Sequence, residues 1–271
     1  MAKHRNPLPT PEEKAERKRA RNMEKGKKIA VAIAAIALVA AAFFGYSSFF
    51  GNPFSRMTAE KNIQAYIAEE YPSLDLELSA VKYDRESGWF YATASSPTSV
   101  DTHFSVYSKN AEVRDYYKDS VTDLFNTIER IEDAFSATAK TAIADETAEV
   151  TVAVLDFINA RESGAFKVDM PVSTDIEAEF AVYLTVEKTA SLEAIAKTAT
   201  ELKKALDLAD MPKIALYNVT LVEGDKTASA QNIPAEDITD GLGQKLAYAL
   251  ENPANPFGDS ENPRPLRVSI Q

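Results

Sequence analysis

The chain has 271 residues, a formal net charge of −11 and no cysteine. It therefore carries no disulfide, no thiolate metal site and no cysteine nucleophile. Nine glycines are few for a Gly-rich phosphate cradle, and no P-loop, EF-hand or zinc-finger spacing occurs.

Residues 1–28 hold ten Lys or Arg against four Glu, a net of +6, which leaves −17 for the remainder. Residues 29–50, opened by Ile29 and closed by Phe50, read IAVAIAAIALVAAAFFGYSSFF and carry no charge. As a helix they rise about 33 Å, enough for the ~30 Å hydrocarbon core of a bilayer. Basic residues hard against such a run stay cytoplasmic, so the acidic remainder is expected outside the cell membrane. The competing reading is a cleaved signal peptide, with Ala40, Ala41 and Ala42 as the small-residue site. The apolar run continues past them through Phe43, Phe44, Phe49 and Phe50, which favours a retained, single-pass signal anchor. The basic tail enforces this topology, its glutamates diluting any field for anionic lipid. Nucleic acid is not an expected partner, because the acidic part repels phosphate.

A short link over 51–56 leads to a helix that Thr58 caps and that runs to about Glu70, before Pro72. Leu74, Leu76 and Leu78 alternate with Asp75, Glu77 and Ser79 as a half-buried strand. A hairpin turn over 84–88 leads into a strand over 89–94, and a third strand covers 100–107. Residues 111–139 are predicted as the longest amphipathic helix, with Val113, Tyr116, Tyr117, Val121, Leu124, Ile128, Ile131 and Phe135 at three- and four-residue spacing. Residues 137–147 mark a boundary. Beyond it come strands over 150–155 and 176–186, and a helix over 191–209 capped by Ser191. Strands over 214–223 and 228–233 follow, meeting at Gly224-Asp225, and then a helix over 239–250. Four prolines in 252–265 exclude helix and sheet there.

The pattern predicts an α+β protein. One N-terminal transmembrane helix precedes an extracytoplasmic region of two small antiparallel-sheet-plus-helix subdomains. The divisions are a basic cytoplasmic tail (1–28), the transmembrane helix (29–50), the subdomains (56–139 and 148–251) and a Pro-rich tail (252–271).

Little in the chain carries chemistry. His4 lies in the basic tail. Asp101, His103 and Ser105 alternate on the predicted third strand and so share a face. Residues two apart on a strand stand about 6.6 Å apart with parallel side chains, which does not aim a base at a nucleophile. Asp101, His103 and Arg130 are therefore a candidate polar cluster of structural kind, with Arg130 offering its guanidinium to Asp101 or to strand carbonyls. Ser79 and Lys82 match the Ser-x-x-Lys signature of penicillin-interacting enzymes, but on a strand and without the partner motifs. Asp115, Asp119 and Asp123 read as a solvated face beside Lys118. Asn218-Val219-Thr220 is a glycosylation sequon. No catalytic residue, metal site or cofactor is assigned.

The stretches Asp101-Thr102-His103-Phe104-Ser105-Val106-Tyr107, Asp115-Tyr116-Tyr117 and Asn126-Thr127-Ile128-Glu129-Arg130 resemble the YfjL-like family of small membrane-anchored proteins of Gram-positive bacteria. Residues 176–222 are similar to its C-terminal part. The resemblance spans about 58–250 in patches. It implies architecture and location and brings no catalytic residues. The expected function is a membrane-anchored binding, sensing or scaffolding module, in contact with lipid through 29–50 and with a protein partner at the cell surface. The alternative is a cell-envelope hydrolase, or an inhibitor or regulator of an exported enzyme.

Overall fold

The computed structural model describes residues 11–254 and 264–271. His4 and most of the Pro-rich segment lie outside the described residues. Helix α1 spans Pro11–Phe50. It is long and apolar enough to cross a membrane, and the protein buries none of its most apolar stretch.

Two residues, Gly51 and Asn52, separate α1 from the next helix. The Asn52 Oδ1 accepts from the Phe54 amide at 2.9 Å, and Pro53 takes the first helical position, where its missing N–H costs nothing. Helix α2 thus spans Pro53–Glu70. The expected link over 51–56 is corrected to a two-residue corner. Thr58 lies inside the helix, its hydroxyl donating to the Phe54 carbonyl at 3.1 Å. Gly51 is buried with φ +74°, and a Cβ there would lie 2.5 Å from the Phe90 ring and 2.9 Å from that of Tyr83. The end of α1 is therefore seated on folded structure. Gly51→Ala should cost about 1–3 kcal/mol, from left-handed strain and displacement of the Phe90 ring. Increased amide exchange around residues 83–90 would register it; unchanged exchange would mean that the corner is loose.

Helix α2 buries Ala59, Ile63 and Ile67, and Asn62 Nδ2 donates to the Asn110 carbonyl at 2.7 Å. Strands β1 (Glu77–Leu78), β2 (Lys82–Asp84), β3 (Trp89–Ser95), β4 (His103–Lys109) and β5 (Glu112–Asp115) follow. The expected alternation at 74–79 is present, but only two of those residues pair. The order is β1-β3-β4-β5, with β2 also on β3, and Asp84 sits opposite Trp89 across the turn.

The predicted 111–139 helix is the main correction. Asn110 at φ +57° turns the chain back into β5, a π-helical turn covers Lys118–Thr122, and Leu124 stands at φ +64°. Helix α3 starts only at Phe125 and ends at Ile143. The apolar spacing over 113–124 fits a helix, yet Val113 and Asp115 alternate equally well with exposed Glu112 and Arg114. Edge pairing decided between the two periods. The π-turn inserts an extra residue, and the left-handed Leu124 then resets the helix.

Strand β6 (Glu149–Val154), helix α4 (Phe157–Glu162), β7 (Phe180–Glu187), α5 (Leu192–Asp207), β8 (Ile214–Glu223), β9 (Lys226–Pro234), α6 (Leu242–Glu251) and β10 (Arg267–Ile270) complete the described chain. The second sheet has the order β10-β9-β8-β7-β6. Its pairs are antiparallel except β7–β8, which is parallel and joined by the α5 crossover. Ser191 caps α5 as its sequence predicts, accepting from the Ala194 amide at 3.2 Å. Strand β10 shows that chain assigned by composition to a Pro-rich tail closes one sheet edge.

The opposite edge, β6, is closed by side chains. Glu132, Ser136 and Lys140 stand four apart on one face of α3. Glu132 Oε1 accepts from the Val154 amide at 2.7 Å, Ser136 Oγ from the Val152 amide at 2.8 Å, and Lys140 donates to the Ala148 carbonyl. Backbone groups that would otherwise be left open at the edge are so paired. Burial pushes the Glu132 carboxyl up, aided by Asp133 and Glu129 and only partly offset by the Val154 amide.

The described chain divides into two compact units. The first holds residues up to Pro72, Leu78–Ala92 and Val106–Arg114; the second holds Ser73–Glu77, Thr93–Ser105 and everything from Asp115 onward. In the second unit, Ile128, Ile131 and Phe135 of α3 share one core with Val182 and Leu184 of β7, Ile195 and Leu202 of α5, and Val219 of β8.

Candidate functional site

The polar cluster lies within the second unit. Asp101 precedes β4, in a bend built from the turn-forming residues 96–102. Ser99 Oγ accepts from the Thr102 amide at 3.0 Å, and the Ser96 amide donates to the Thr102 carbonyl at 2.8 Å. Asp101 is 1% exposed. Its Oδ1 accepts from Arg130 Nε at 2.7 Å. Its Oδ2 accepts from Arg130 Nη2 at 2.9 Å, the Thr127 hydroxyl at 2.8 Å and the Asp169 amide at 2.8 Å. In return the Asp101 amide donates to Asp169 Oδ1 at 2.9 Å. Arg130 Nη2 also donates to the Met170 carbonyl at 2.7 Å. One face of the first turns of α3 thus clamps the 96–102 bend to the 169–170 loop, where Asp169 stands at φ +60°.

Asn126 completes the clamp, its Nδ2 donating to the carbonyls of Asp101 at 2.8 Å and His103 at 2.6 Å. His103 therefore joins through its backbone. Its ring is exposed, with Nδ1 at 3.2 Å from the Val100 carbonyl. The expected shared face of Asp101, His103 and Ser105 does not form, because Asp101 lies before the strand and the alternation does not reach it. Arg130 does meet Asp101, in a bidentate pair.

Burial pushes the Asp101 carboxyl up, but the hydrogen bonds from Arg130, Thr127 and Asp169 together outweigh it and hold the group below its ordinary value. Arg130 is raised, chiefly by its bond to Asp101. The carboxylate accepts four hydrogen bonds, about its full capacity. It is ionised, saturated and shielded, which suits a clamp better than a proton carrier. Sequence reading missed Asn126, Thr127 and Asp169 as members. Asp169 is 68 residues from Asp101, with no local pattern to join them.

The remaining motifs hold no reactive arrangement. Ser79 is exposed in the link between β1 and β2, not on a strand as expected, and exposed Lys82 opens β2. Asp115 Oδ1 accepts from the Tyr117 amide, while Asp123 pairs with Lys118 at 2.6 Å and Arg161 at 3.5 Å. Among the described residues, no group of three or more His, Asp and Glu side chains is placed to hold a metal. Asn218 of the sequon is buried in β8. Its Nδ2 donates to the Val182 carbonyl at 3.2 Å and its Oδ1 accepts from the Asn232 amide at 2.9 Å, so the folded chain does not present it for glycosylation.

The first unit carries a different surface. Alternation along β3 buries Phe90 and Ala92 and leaves Trp89 and Tyr91 half-exposed. Tyr91 stacks on Tyr107 of β4 at 5.4 Å between centroids, and the Arg114 guanidinium lies 4.9 Å from the centre of the Trp89 ring.

Residues 26–122 match the YfjL-like, N-terminal domain family. The match takes in the apolar segment, α2 and the first sheet, and it ends before the 126–130 and 176–222 stretches. The family description names neither a membrane nor an organism. No curated protein and no solved structure matches the chain.

Proposed function

We propose that this chain is a single-pass protein of a bacterial cell membrane, with its basic tail in the cytoplasm and its folded units outside. There it serves as a binding, sensing or scaffolding module. One observation carries the reading: Gly51 is buried beneath Phe90 and Tyr83, so α1 ends on the first unit and not in a loose tether. An anchor that only retained a domain would need no such seat, whereas a module that works at a fixed orientation to the bilayer does. The charge step from +6 in residues 1–28 to −17 beyond them supports the orientation. The saturated Asp101–Arg130 clamp favours a structural over a catalytic role for the cluster.

The absence of cysteine makes topology directly measurable. Single cysteines in place of Glu12 and Leu208 should react oppositely with a membrane-impermeant maleimide in intact cells. Position 208 is labelled at once, and position 12 only after permeabilisation. Labelling at 12 in intact cells, or protection at 208, overturns the proposed topology. Loss of residue 12 from the mature chain overturns the retained anchor.

A further inference from the structure

We infer that the first turn of α2 and the β2–β3 turn form a lipid-contact surface. On it Phe54 and Met57 enter the boundary between headgroups and acyl chains, and Arg56 and Arg85 bind lipid phosphate. The inference rests on the membrane reading above.

Phe54 and Met57 are 74% and 59% exposed, and exposed apolar side chains that stand together, unlike scattered single ones, mark a contact surface. They stand three apart, so they share one face of α2. Exposed large apolar residues on this helix are confined to that turn. Further along, the exposed positions are Glu60, Lys61, Gln64, Glu69 and Glu70 with two alanines, while Ala59, Ile63 and Ile67 are buried. A helix that merely covered a core would have no reason to gather its exposed apolar residues at one end.

The chain places that end at the bilayer. Phe54 follows Phe50 by four residues, a reach of at most about 14 Å. The interfacial layer begins where the hydrocarbon core stops, and large amphipathic or apolar side chains are accommodated there. Phe49 and Phe50 are themselves 58% and 61% exposed, so the apolar surface runs from α1 across the corner into α2.

The β2–β3 turn comes to the same level. The Arg85 guanidinium sits 4.6 Å from the centre of the Phe49 ring. That contact fixes a cation beside the last turn of the apolar helix, and exposed Arg56 is a second one three residues beyond Pro53. Guanidinium is the side-chain group best matched to phosphate oxygens. Glu60 and Glu86 lie nearby in sequence and temper the long-range field. Recognition is therefore by direct contact with the phosphodiester, at short range, and not by steering toward net negative charge.

The test uses the full chain in nanodiscs of phosphatidylcholine and phosphatidylglycerol. Trp89, the sole tryptophan, is replaced by Phe, and single tryptophans are placed as Phe54→Trp, Met57→Trp or Ile36→Trp. Lipids brominated near the headgroup end of the acyl chain should quench tryptophan at all three positions. In the 54 variant, Arg56→Gln with Arg85→Gln should reduce the quenching. Quenching at 36 with none at 54 or 57, judged against free N-acetyltryptophanamide, overturns this inference and leaves the membrane reading intact. No quenching at 36 overturns that reading and this inference with it. Undiminished quenching in the double Arg variant overturns the phosphate contact.

Discussion

Asp101→Ala should destabilise the second unit by about 3–5 kcal/mol, the usual cost of removing one partner from a buried pair. The carboxylate takes four donors, from Arg130, Thr127 and the Asp169 amide. Its loss leaves a guanidinium only 27% exposed without its anion, and a buried hydroxyl and a part-buried amide without their acceptor. Hydrogen exchange of the full-length chain reads this locally. Amides at the start of α3 and around 169–170 should lose protection by about a hundredfold or more, at roughly tenfold per 1.4 kcal/mol. Arg130→Met should cost a comparable amount, since it leaves the more deeply buried carboxylate without its counter-ion and Oδ1 without its donor, although Thr127 and the Asp169 amide still hold Oδ2. Equal protection in Asp101→Ala and the natural chain would show that the clamp contributes nothing net.

The same group fixes a pH signature. Its folded pKa lies below the ordinary carboxyl value, so its stabilisation is fully present above that value. It is lost as pH falls through the folded pKa. Glu132 acts in the opposite sense. Its pKa is raised by burial, so its contribution is present below the unfolded value and lost as pH rises through the folded one. The natural chain should therefore lose stability in acid more steeply than the Asp101→Ala variant, and the two profiles should run parallel above pH 6. An acid limb of equal slope in both would assign the acid sensitivity to other carboxylates.

How much of this was legible in sequence follows from which interactions are local. The apolar segment, the 84–88 turn, the Ser191 cap and the β8–β9 turn at Gly224-Asp225 all declare themselves within a few residues. The structure keeps each of them. The failure at 111–124 is of another kind. There the residues satisfy two periods at once, and the choice was made by an open edge of β4 that no local window displays. The clamp failed in part for the same reason. Arg130 and Asp101 could be paired from charge and predicted packing, but Asp169 enters through its backbone and a left-handed φ. The corner at Gly51 was readable in principle. Asn-Pro after glycine is a helix-start signal, yet it reads equally as a loop until Phe90 is known to lie against the glycine.

Phe135→Ala should cost about 3–5 kcal/mol, as deletion of a fully buried aromatic does. Phe135 is 2% exposed and meets Phe180 of β7 edge-on, with 5.6 Å between centroids. Ile128 and Ile131 lie on the same seam at 1% and 0% exposure, whereas Leu124, expected to extend it, is only half-buried at its left-handed turn. The helical seam thus begins at Ile128 and not at Val113, where periodicity alone places its start, and Leu124→Ala should be the milder change. The Phe135 cavity opens between α3 and the second sheet, beside the ladder of Glu132, Ser136 and Lys140 that closes the β6 edge. Loosening α3 there should also free the β6 amides. Exchange at Val152 and Val154, whose partners are α3 side chains, should therefore accelerate together with the α3 backbone. If α3 amides lose protection while Val152 and Val154 keep theirs, the helix and the edge are not one cooperative element. The closing of that edge would then belong to the sheet itself.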